Sequence, residues 1–316
     1  MPLPTRWRYK LDRWRGDIAG QFRSRASASA PRPRLCPACG TLVGATATKC
    51  HQCGASMTFS LAAASRSLSK MMPHAAPITY SILGLDCLIY GLSLLMTIQR
   101  SGGFDAPAGG LRGILVSLGG ISGAILLRLG ESVPLPYLTS QPWRLVMAVF
   151  LHGSLIHSGF NMMTLMNIGP MVEELYGSAR YLFIFVVTGA FGYLASSAVG
   201  NVSVGASGSL LGLIGVLIAV TGGRKSAGAQ MIRRQLISWV ITIAVLGLLM
   251  PIIDNYAHAG GFAAGYVLGK MLPDRLPADL AETRRADIMG WTAALAVAAS
   301  FIFMLINFFA TAMPLG

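Results

Sequence analysis

Charged side chains are scarce in this 316-residue chain, where they make up 12% of the residues. Soluble domains carry about 25%. With 53% hydrophobic residues, so little charge excludes an ordinary soluble domain and predicts an all-α polytopic membrane protein, with the lipid bilayer as a partner. Acidic residues are the scarcest, because 12 Asp and Glu stand against 25 Lys and Arg and leave a formal net charge of +13.

The basic residues are not accompanied by the motifs of a secretory signal peptide or of a nucleic-acid-binding site. No apolar run follows the first basic residues, so a secretory signal peptide is not predicted; a transit peptide is the alternative for this Arg-rich start. No base-reading motif accompanies the charge, and no nucleic acid partner is expected. Twelve of the 25 Lys and Arg precede residue 78, and most others lie in short loops. This positive-inside pattern predicts a cytosolic N-terminus, as in a prokaryotic inner membrane.

Seven apolar stretches approach the roughly 20 residues that a helix needs to cross the bilayer core. They are residues 78–98, 143–166, 181–200, 206–222, 236–253, 256–272 and 287–310. The fourth and sixth are short and rich in glycine, which predicts central helices with close neighbours. The seventh is the most uniformly apolar and is expected to face lipid. We expect residues 100–142 to lie partly in the interface without crossing; a second crossing is the alternative.

Composition divides the chain into six parts. They are a basic arm (1–35), a cysteine module (36–54), a linker (55–77), a membrane domain (78–272), a cytosolic loop (273–286) and an additional transmembrane helix (287–310). Because the basic segments are predicted to be cytosolic, the second, fourth and sixth spans all begin on the outer side.

Cysteine is also rare, with five residues, but four of them form a CxxC-x10-CxxC pattern: Cys36, Cys39, Cys50 and Cys53. Four thiolates at this spacing predict a structural Zn²⁺ site with no open coordination position. A redox pair or disulfides are the alternatives, and a cytosolic location disfavours disulfides. The module resembles a zinc ribbon, and a protein partner for it is possible. Cys87 stands alone in the first span and is expected to pack there.

Polar groups near the outer ends of three spans stand out because they are costly in a membrane and usually functional. They are His152, His157 and Asn161 in "FLHGSLIHSGFNMM", Ser207 in "GASG" and His258 in "DNYAHAGGFAAG". At about 100° per residue, His157 and Asn161 share a helix face, whereas His152 should point elsewhere. Each group also has a simpler interpretation as a helix-packing or hydrogen-bonding residue.

Together these groups suit nucleophilic catalysis. A serine hydroxyl needs a base to take its proton, and His258 could serve as that base. The amides at the start of the fourth span, with His157 and Asn161, could donate to an oxyanion. No acidic third member is evident, since Asp254 is equally a helix cap, and a Ser–His pair is predicted. Small residues at helical spacing predict close contact between the fourth and sixth spans. These are Gly205, Gly208, Gly212, Gly215, Gly261 and Gly265.

From about Tyr80 to Lys270 the chain resembles the rhomboid family of intramembrane serine proteases. The matching stretches are "GGISGA" (119–124), "QPWRLVMAVFLHGSLIHSGFNM" (141–162), "VEELYGSARYLF" (172–183), "GASG" (205–208) and "AHAGGFAAG" (257–265). The resemblance implies a six-helix bundle with a water-filled cavity, to which the seventh span is an addition. Leu211 departs from the family, which often has an aromatic residue there that stacks on the catalytic histidine.

The resemblance also implies roles for single residues. Ser207 would be the nucleophile and His258 the general base, while Asn161, His157 and the Ser207 amide would form the oxyanion hole. His152 and the pair Trp143–Arg144 match positions that shape the outer loop, and Glu173 and Gly177 match a structural motif.

The implied activity is hydrolysis of peptide bonds in or near transmembrane segments of protein substrates, without a catalytic cofactor. A rhomboid-like pseudoenzyme that binds membrane clients without cleaving them is the alternative. A transporter is disfavoured because no inverted repeat is evident.

Overall fold

The computed structural model describes residues 33–36, 41–54, 56–57, 76–100, 119–250 and 252–311. Most of the predicted arm, most of the linker, Cys39 and residues 101–118 lie outside these ranges. The described helices are α1 (Pro77–Arg100), α2 (Gly123–Leu129), α3 (Leu135–Leu138), α4 (Arg144–Met147), α5 (Leu155–Tyr176), α6 (Ser178–Ala198), α7 (Ser207–Thr221), α8 (Ala227–Leu249), α9 (Asn255–Met271) and α10 (Leu280–Ala310). A 3₁₀ turn (Ala148–Phe150) follows α4, and the strands β1 (Arg34–Leu35) and β2 (Leu42–Val43) pair antiparallel near the N-terminus.

Four of the described helices are long and apolar enough to cross a membrane, namely α1, α6, α8 and α10. The segments Arg144–Phe150 and Leu155–Tyr176 form a fifth candidate, although they meet at an angle of 92°. Helix α7 is apolar but has only 15 residues. It is buried on all sides, so neighbouring helices rather than lipid surround it. The predicted all-α, polytopic membrane architecture is confirmed.

The second predicted span, 143–166, is wrong as a single helix. The backbone leaves the helical region at Leu151, and Ser154 then caps α5 by accepting a hydrogen bond from the His157 amide at 3.2 Å. Helix α5 continues to Tyr176, ten residues beyond the predicted end. The fifth and seventh spans also begin earlier than predicted, because basic and polar turns extend both helices beyond their apolar parts.

A buried carboxylate ties three helices together at one end of the bundle, here called the Glu173 end. Glu173 accepts hydrogen bonds from the amides of Ile78 and Thr79 at 3.0 and 2.8 Å and from the Thr79 hydroxyl at 2.8 Å. The Ser178 hydroxyl donates to it at 2.7 Å. The carboxylate thus satisfies amides at the start of α1, where a negative charge is favoured.

Glycines set the spacing between α7 and α9. A methyl group at Gly261 would overlap the carbonyl of Gly208, and one at Gly265 would overlap the carbonyl of Gly212. The two backbones are therefore in direct contact, and the predicted close approach of these spans is confirmed.

Residues 119–142, the described part of the segment 100–142, contain only short helices. Because residues 101–118 lie outside the described ranges, the non-crossing of the whole segment stays a prediction. Its helices α2 and α3 have seven and four residues, too few to span a bilayer. Arg144 holds this segment by donating to the carbonyls of Leu127 and Glu131 at 2.9 and 3.0 Å. Burial raises the pKa of Glu131 to about 7, and the opposite charge of Arg144 limits the rise.

Helix α10 packs beside α6, α4 and α2 through a stripe of mostly small residues. Its buried positions are Thr283, Ala286, Gly290, Ala293 and Ser300. Most of the remaining side chains are exposed, as predicted for a helix that faces lipid.

We expect Gly265→Ala to lower the free energy of unfolding by about 1–3 kcal/mol, because the new methyl group meets backbone atoms that cannot rotate away. Gly91→Ala is the matched control, since a Cβ at this mid-helix glycine has open space within 4 Å. Unfolding in mixed micelles, followed by tryptophan fluorescence, measures both variants. Equal free energies of unfolding for the two variants would show that α7 and α9 have room for a methyl group at residue 265, against the close contact described above.

Candidate active site

Ser207 and His258 meet at the end of the bundle opposite Glu173, here called the Ser207 end. The hydroxyl Oγ of Ser207 lies 2.9 Å from Nε2 of His258, although 51 residues separate them in the chain. Ser207 is the first residue of α7, and His258 lies in the first turn of α9. The close approach of the glycine faces carries these two helix starts to hydrogen-bond distance.

The other ring nitrogen of His258 is not hydrogen-bonded to an acid over the residues that the structure describes. Its Nδ1 is buried and, within the described part of the chain, makes no hydrogen bond. Asp254, which the sequence left open between a third catalytic member and a helix cap, is a cap. It accepts hydrogen bonds from the amides of Tyr256 and Ala257, each at 3.0 Å. Among the described residues, the His258 ring hydrogen-bonds to Ser207 and to no carboxylate.

Asp254 has a further task that the sequence did not indicate. Its carboxylate also accepts a short hydrogen bond from the Ser196 hydroxyl and one from the Asn201 side chain at 3.3 Å. These contacts join the start of α9 to the end of α6 and to the loop that leads to Ser207. The signal in the sequence was an acid immediately before a helix, which is common and unspecific.

Gly205 and Tyr193 fix the chain just before the serine. Gly205 has φ of +126°, a conformation that favours glycine. Its amide donates to the Ala148 carbonyl at 2.9 Å, and its carbonyl accepts from the Tyr193 hydroxyl at 2.5 Å. Sequence reasoning missed Tyr193, whose only signal was a phenol within an apolar span.

His157 and Asn161 lie beside this turn, on one face of α5 as predicted. A Cβ on Gly205 would stand 2.7 Å from Nε2 of His157 and 3.9 Å from Nδ2 of Asn161. One Asn161 N–H donates to the His157 carbonyl at 2.8 Å, which leaves its second N–H for another acceptor. The amides of the first turn of α7 have no acceptor earlier in that helix, and Ala206 supplies no side-chain cap. The His157 ring, the Asn161 side chain and the first amides of α7 therefore lie around or just after Gly205, which is two residues before Ser207.

The helical spacing predicted that His152 points away from this cluster, and this prediction is wrong. It precedes α5 instead of lying within it, so the angle of a continuous helix does not apply. Its ring is buried and packs edge-on against His157, with the ring centroids 5.3 Å apart. Leu211, the departure from the family pattern, is buried in α7, and the His258 ring nevertheless meets Ser207.

Comparison with known proteins identifies this part of the chain. Residues 139–275 match the family model described as the rhomboid domain. This segment is a rhomboid domain. It contains α4 to α9 and with them both helix starts of the Ser–His pair. The chain as a whole is a multi-pass membrane protein that carries this domain.

Curated relatives come from plants, fungi and bacteria. The chain is 36% identical over 136 residues to RHOMBOID-like protein 4 of Arabidopsis thaliana, covering 42% of this chain and 34% of the relative. It is 34% identical over 125 residues to rhomboid protease GluP of Bacillus subtilis, covering 39% and 25%. It is 34% identical over 137 residues to rhomboid-type serine protease 2 of Emericella nidulans, covering 41% and 26%. The match spans less than half the length of each relative.

The cysteine module brings three thiols together. The Sγ atoms of Cys36, Cys50 and Cys53 all lie within 4.8 Å of one another, and the first and last are 3.5 Å apart. Two ligands of one tetrahedral Zn²⁺, each at 2.3 Å, would be separated by about 3.8 Å. The three residues could therefore hold a metal ion. Cys39, the predicted fourth ligand, is outside the described residues.

The module sits against the start of α10. Gly54 has φ of +64°, and a methyl group there would overlap the Leu280 side chain. Close by, Arg275 holds Glu282 with two hydrogen bonds of 2.7 Å. These bonds, led by the Arg275 contact, lower the pKa of Glu282 to about 2. Arg275 is exposed, and solvent screening at the surface limits what the ion pair contributes to stability.

We expect Tyr193→Phe to lower the free energy of unfolding by about 1–3 kcal/mol, because the Gly205 carbonyl loses its buried donor. Tyr266→Phe is the control, since that tyrosine is more than one third exposed. Thermal unfolding of the purified full chain compares the two. Equal melting temperatures would mean that the Gly205 turn does not depend on Tyr193.

Proposed function

We propose that this protein is an intramembrane serine endopeptidase that hydrolyses peptide bonds in or near transmembrane segments of membrane proteins. The observation that carries the proposal is the 2.9 Å contact between Ser207 Oγ and His258 Nε2. Its location inside a rhomboid domain, residues 139–275, supports it further. Substrates would be transmembrane proteins reached within the bilayer.

The reaction follows from the geometry of the pair. Nε2 of His258, acting as acceptor, takes the Ser207 proton as Oγ attacks the carbonyl carbon of the scissile bond. The resulting imidazolium then protonates the departing amine, and the C–N bond breaks to leave an acyl-enzyme. Water, deprotonated by the same histidine, hydrolyses the ester and restores the hydroxyl.

The tetrahedral intermediates carry an oxyanion that needs donors already in place. We assign this role to the Asn161 side chain, the His157 ring and the Ser207 amide. Their positions around Gly205 support the assignment, because the His157 and Asn161 side chains both border the turn that leads to Ser207 and Asn161 retains one N–H for an acceptor. Since several donors share the charge, the loss of one should weaken catalysis without abolishing it.

The site also restricts the substrate. Ser207 begins a helix enclosed by others, so a substrate helix must unwind locally to place a carbonyl beside it. Small or helix-breaking residues near the cleavage point would lower the cost of unwinding. The predicted topology would place the cleavage point near the outer end of the substrate's transmembrane segment.

Ser207→Ala and His258→Ala should each lower cleavage of a model transmembrane substrate by about 10³-fold or more, because neither group acts without the other. Asn161→Ala should lower it by about 10- to 100-fold, because other oxyanion donors remain. Ser238→Ala, on the exposed surface of α8, is the matched control and should retain full activity. Cleavage in reconstituted liposomes measures all four variants.

A fluorophosphonate probe separates a protease from a pseudoenzyme. Labelling of the wild-type chain at Ser207, absent in Ser207→Ala, is the expected result. A folded wild-type chain that neither labels nor cleaves would favour the non-cleaving alternative.

For the module, we propose a structural Zn²⁺ held by Cys36, Cys50 and Cys53, with Cys39 as the fourth ligand. The spacing of the three described thiols supports this, since on deprotonation their sulfurs could bind one cation together. Bound there, the ion would fix the two knuckles of a module too small to have a large core. A protein partner for the module, and a prokaryotic inner membrane with a cytosolic N-terminus, stay predictions. One relative is named as mitochondrial, RHOMBOID-like protein 6 of Arabidopsis thaliana.

The purified full chain should contain about one zinc per molecule, because four thiolates complete one tetrahedral site. Cys53→Ser should remove most of it, whereas Cys87→Ser, in α1, should leave the zinc content unchanged. Elemental analysis by mass spectrometry gives the ratio directly. Wild-type protein free of zinc after purification without chelators would contradict the assignment.

A further inference from the structure

Helix α10 is hydrogen-bonded to α2 at the Ser207 end of the bundle. The Nη2 atom of Arg128 donates to the Phe308 carbonyl at 2.8 Å, and the guanidinium lies 4.2 Å from the centroid of the Phe308 ring. In the opposite direction, the Asn307 side chain donates to the Arg128 carbonyl at 3.1 Å. These reciprocal contacts join residues about 180 positions apart, and we call Arg128, Asn307 and Phe308 the clasp.

The segment that follows α2 leads directly to the chain before the serine. The Ser132 amide donates to the Ser203 carbonyl at 3.1 Å, and its hydroxyl lies 2.9 Å from that of Ser197. Ser203 is two residues before Gly205, whose turn sets the position of Ser207. The clasp therefore connects to the segment before Ser207 in two steps. Arg128 lies near the end of α2, and Ser132, four residues later, pairs with Ser203 through the backbone.

A second contact brings α10 to the other side of the site. The ring of Phe301 packs against Phe150 with the centroids 5.7 Å apart. Phe150 ends the 3₁₀ turn two residues before His152. Helix α10 thus contacts both α2, which leads to Ser132, and the 3₁₀ turn that precedes His152.

The polarity of the clasp distinguishes it from ordinary packing. Arg128 is half-buried, and removing a guanidinium from water costs free energy unless partners accept its hydrogen bonds. Among the described residues, its Nη2 has such a partner, whereas its buried Nε has none. The partner of Nη2 is the Phe308 carbonyl in the last turn of α10. The last four carbonyls of a helix have no N–H donor within that helix, so this oxygen is free to accept from Arg128. The cation also lies at the C-terminal, negative end of the helix dipole. Apolar residues would suffice merely to hold a lipid-facing helix in place.

We propose that the clasp positions residues 130–134 and, through Ser132, the segment 203–207 that carries the nucleophile. Arg128, Asn307 and Phe308 are then positioning residues, and α10 is part of the apparatus that keeps Ser207 in register with its donors. This inference rests on the proposed function where it concerns catalysis. The structural link from α10 to residues 203–207 does not depend on it.

Asn307→Leu and Arg128→Gln test the proposal in the full chain. Asn307→Gln keeps an amide donor and is the conservative rescue, while Ile306→Ala changes an exposed neighbour on the same turn. Three measurements are made on each variant: amide hydrogen exchange in residues 123–134 and 201–208, the rate of fluorophosphonate labelling at Ser207, and kcat and KM for a model substrate.

For Asn307→Leu and Arg128→Gln we expect faster exchange in both segments, and labelling and kcat lower by about threefold or more, because a small displacement of a reacting group slows the chemical step. KM should change less, and Asn307→Gln and Ile306→Ala should resemble the wild type. Unchanged exchange in both segments would overturn the proposal. Faster exchange with unchanged labelling and kcat would overturn the positioning role and leave only packing.

A failure of the proposed function would look different. If the wild-type chain neither labels nor cleaves, the proposed activity is wrong. Amide hydrogen exchange alone then tests whether the clasp positions residues 130–134 and 203–207. Faster exchange confined to 123–134, with 201–208 unchanged, would contradict the link through Ser132.

Discussion

Direct backbone contact between α7 and α9 is the constraint on which the site depends. Gly208 and Gly212 face Gly261 and Gly265, and a single added methyl group at either of the latter would meet a carbonyl. Only at this separation do the hydroxyl of Ser207 and the ring of His258 come within 2.9 Å. In a membrane, where water does not drive helices together, such contact relies on dispersion and on complementary shape. The glycines therefore allow the close helix packing and, through it, the contact between Ser207 and His258.

Polar contacts at the two ends of the bundle keep that contact in register. Glu173 joins the beginnings of α1 and α6 at one end, and Asp254 joins α9 to α6 and to the loop before α7 at the other. Both carboxylates accept backbone amides at helix starts, which would otherwise be costly to leave unpaired. Each acid thus satisfies a local need of one helix and fixes that helix to its neighbours.

The sequence predicted those features that depend on spacing within one helix or on the identity of a few residues. Apolar length located α1 and α6 to α10 but merged α4 with α5 into one span. Glycine spacing indicated the α7–α9 contact, and the positions of Ser207 and His258 indicated their pairing. Whether these residues catalyse a reaction stays a proposal. Tyr193 was missed because its partner, the Gly205 carbonyl, is a backbone atom brought near only by the tertiary fold. The clasp was missed for the same reason, since no periodicity relates Arg128 to Phe308.

The break between α4 and α5 shows why the most serious sequence error fell close to the site. In a continuous helix the Ala148 carbonyl would accept the amide of residue 152. Because the helix stops, that carbonyl accepts the Gly205 amide at 2.9 Å instead, and the Gly153 carbonyl accepts the Ile121 amide at 2.9 Å. The broken helix thus supplies acceptors to both the turn before Ser207 and the segment that α2 continues. An apolar run records hydrophobicity but not which carbonyls are left for other partners, so the feature that assembles the donors around Gly205 was hidden within a stretch predicted as one helix.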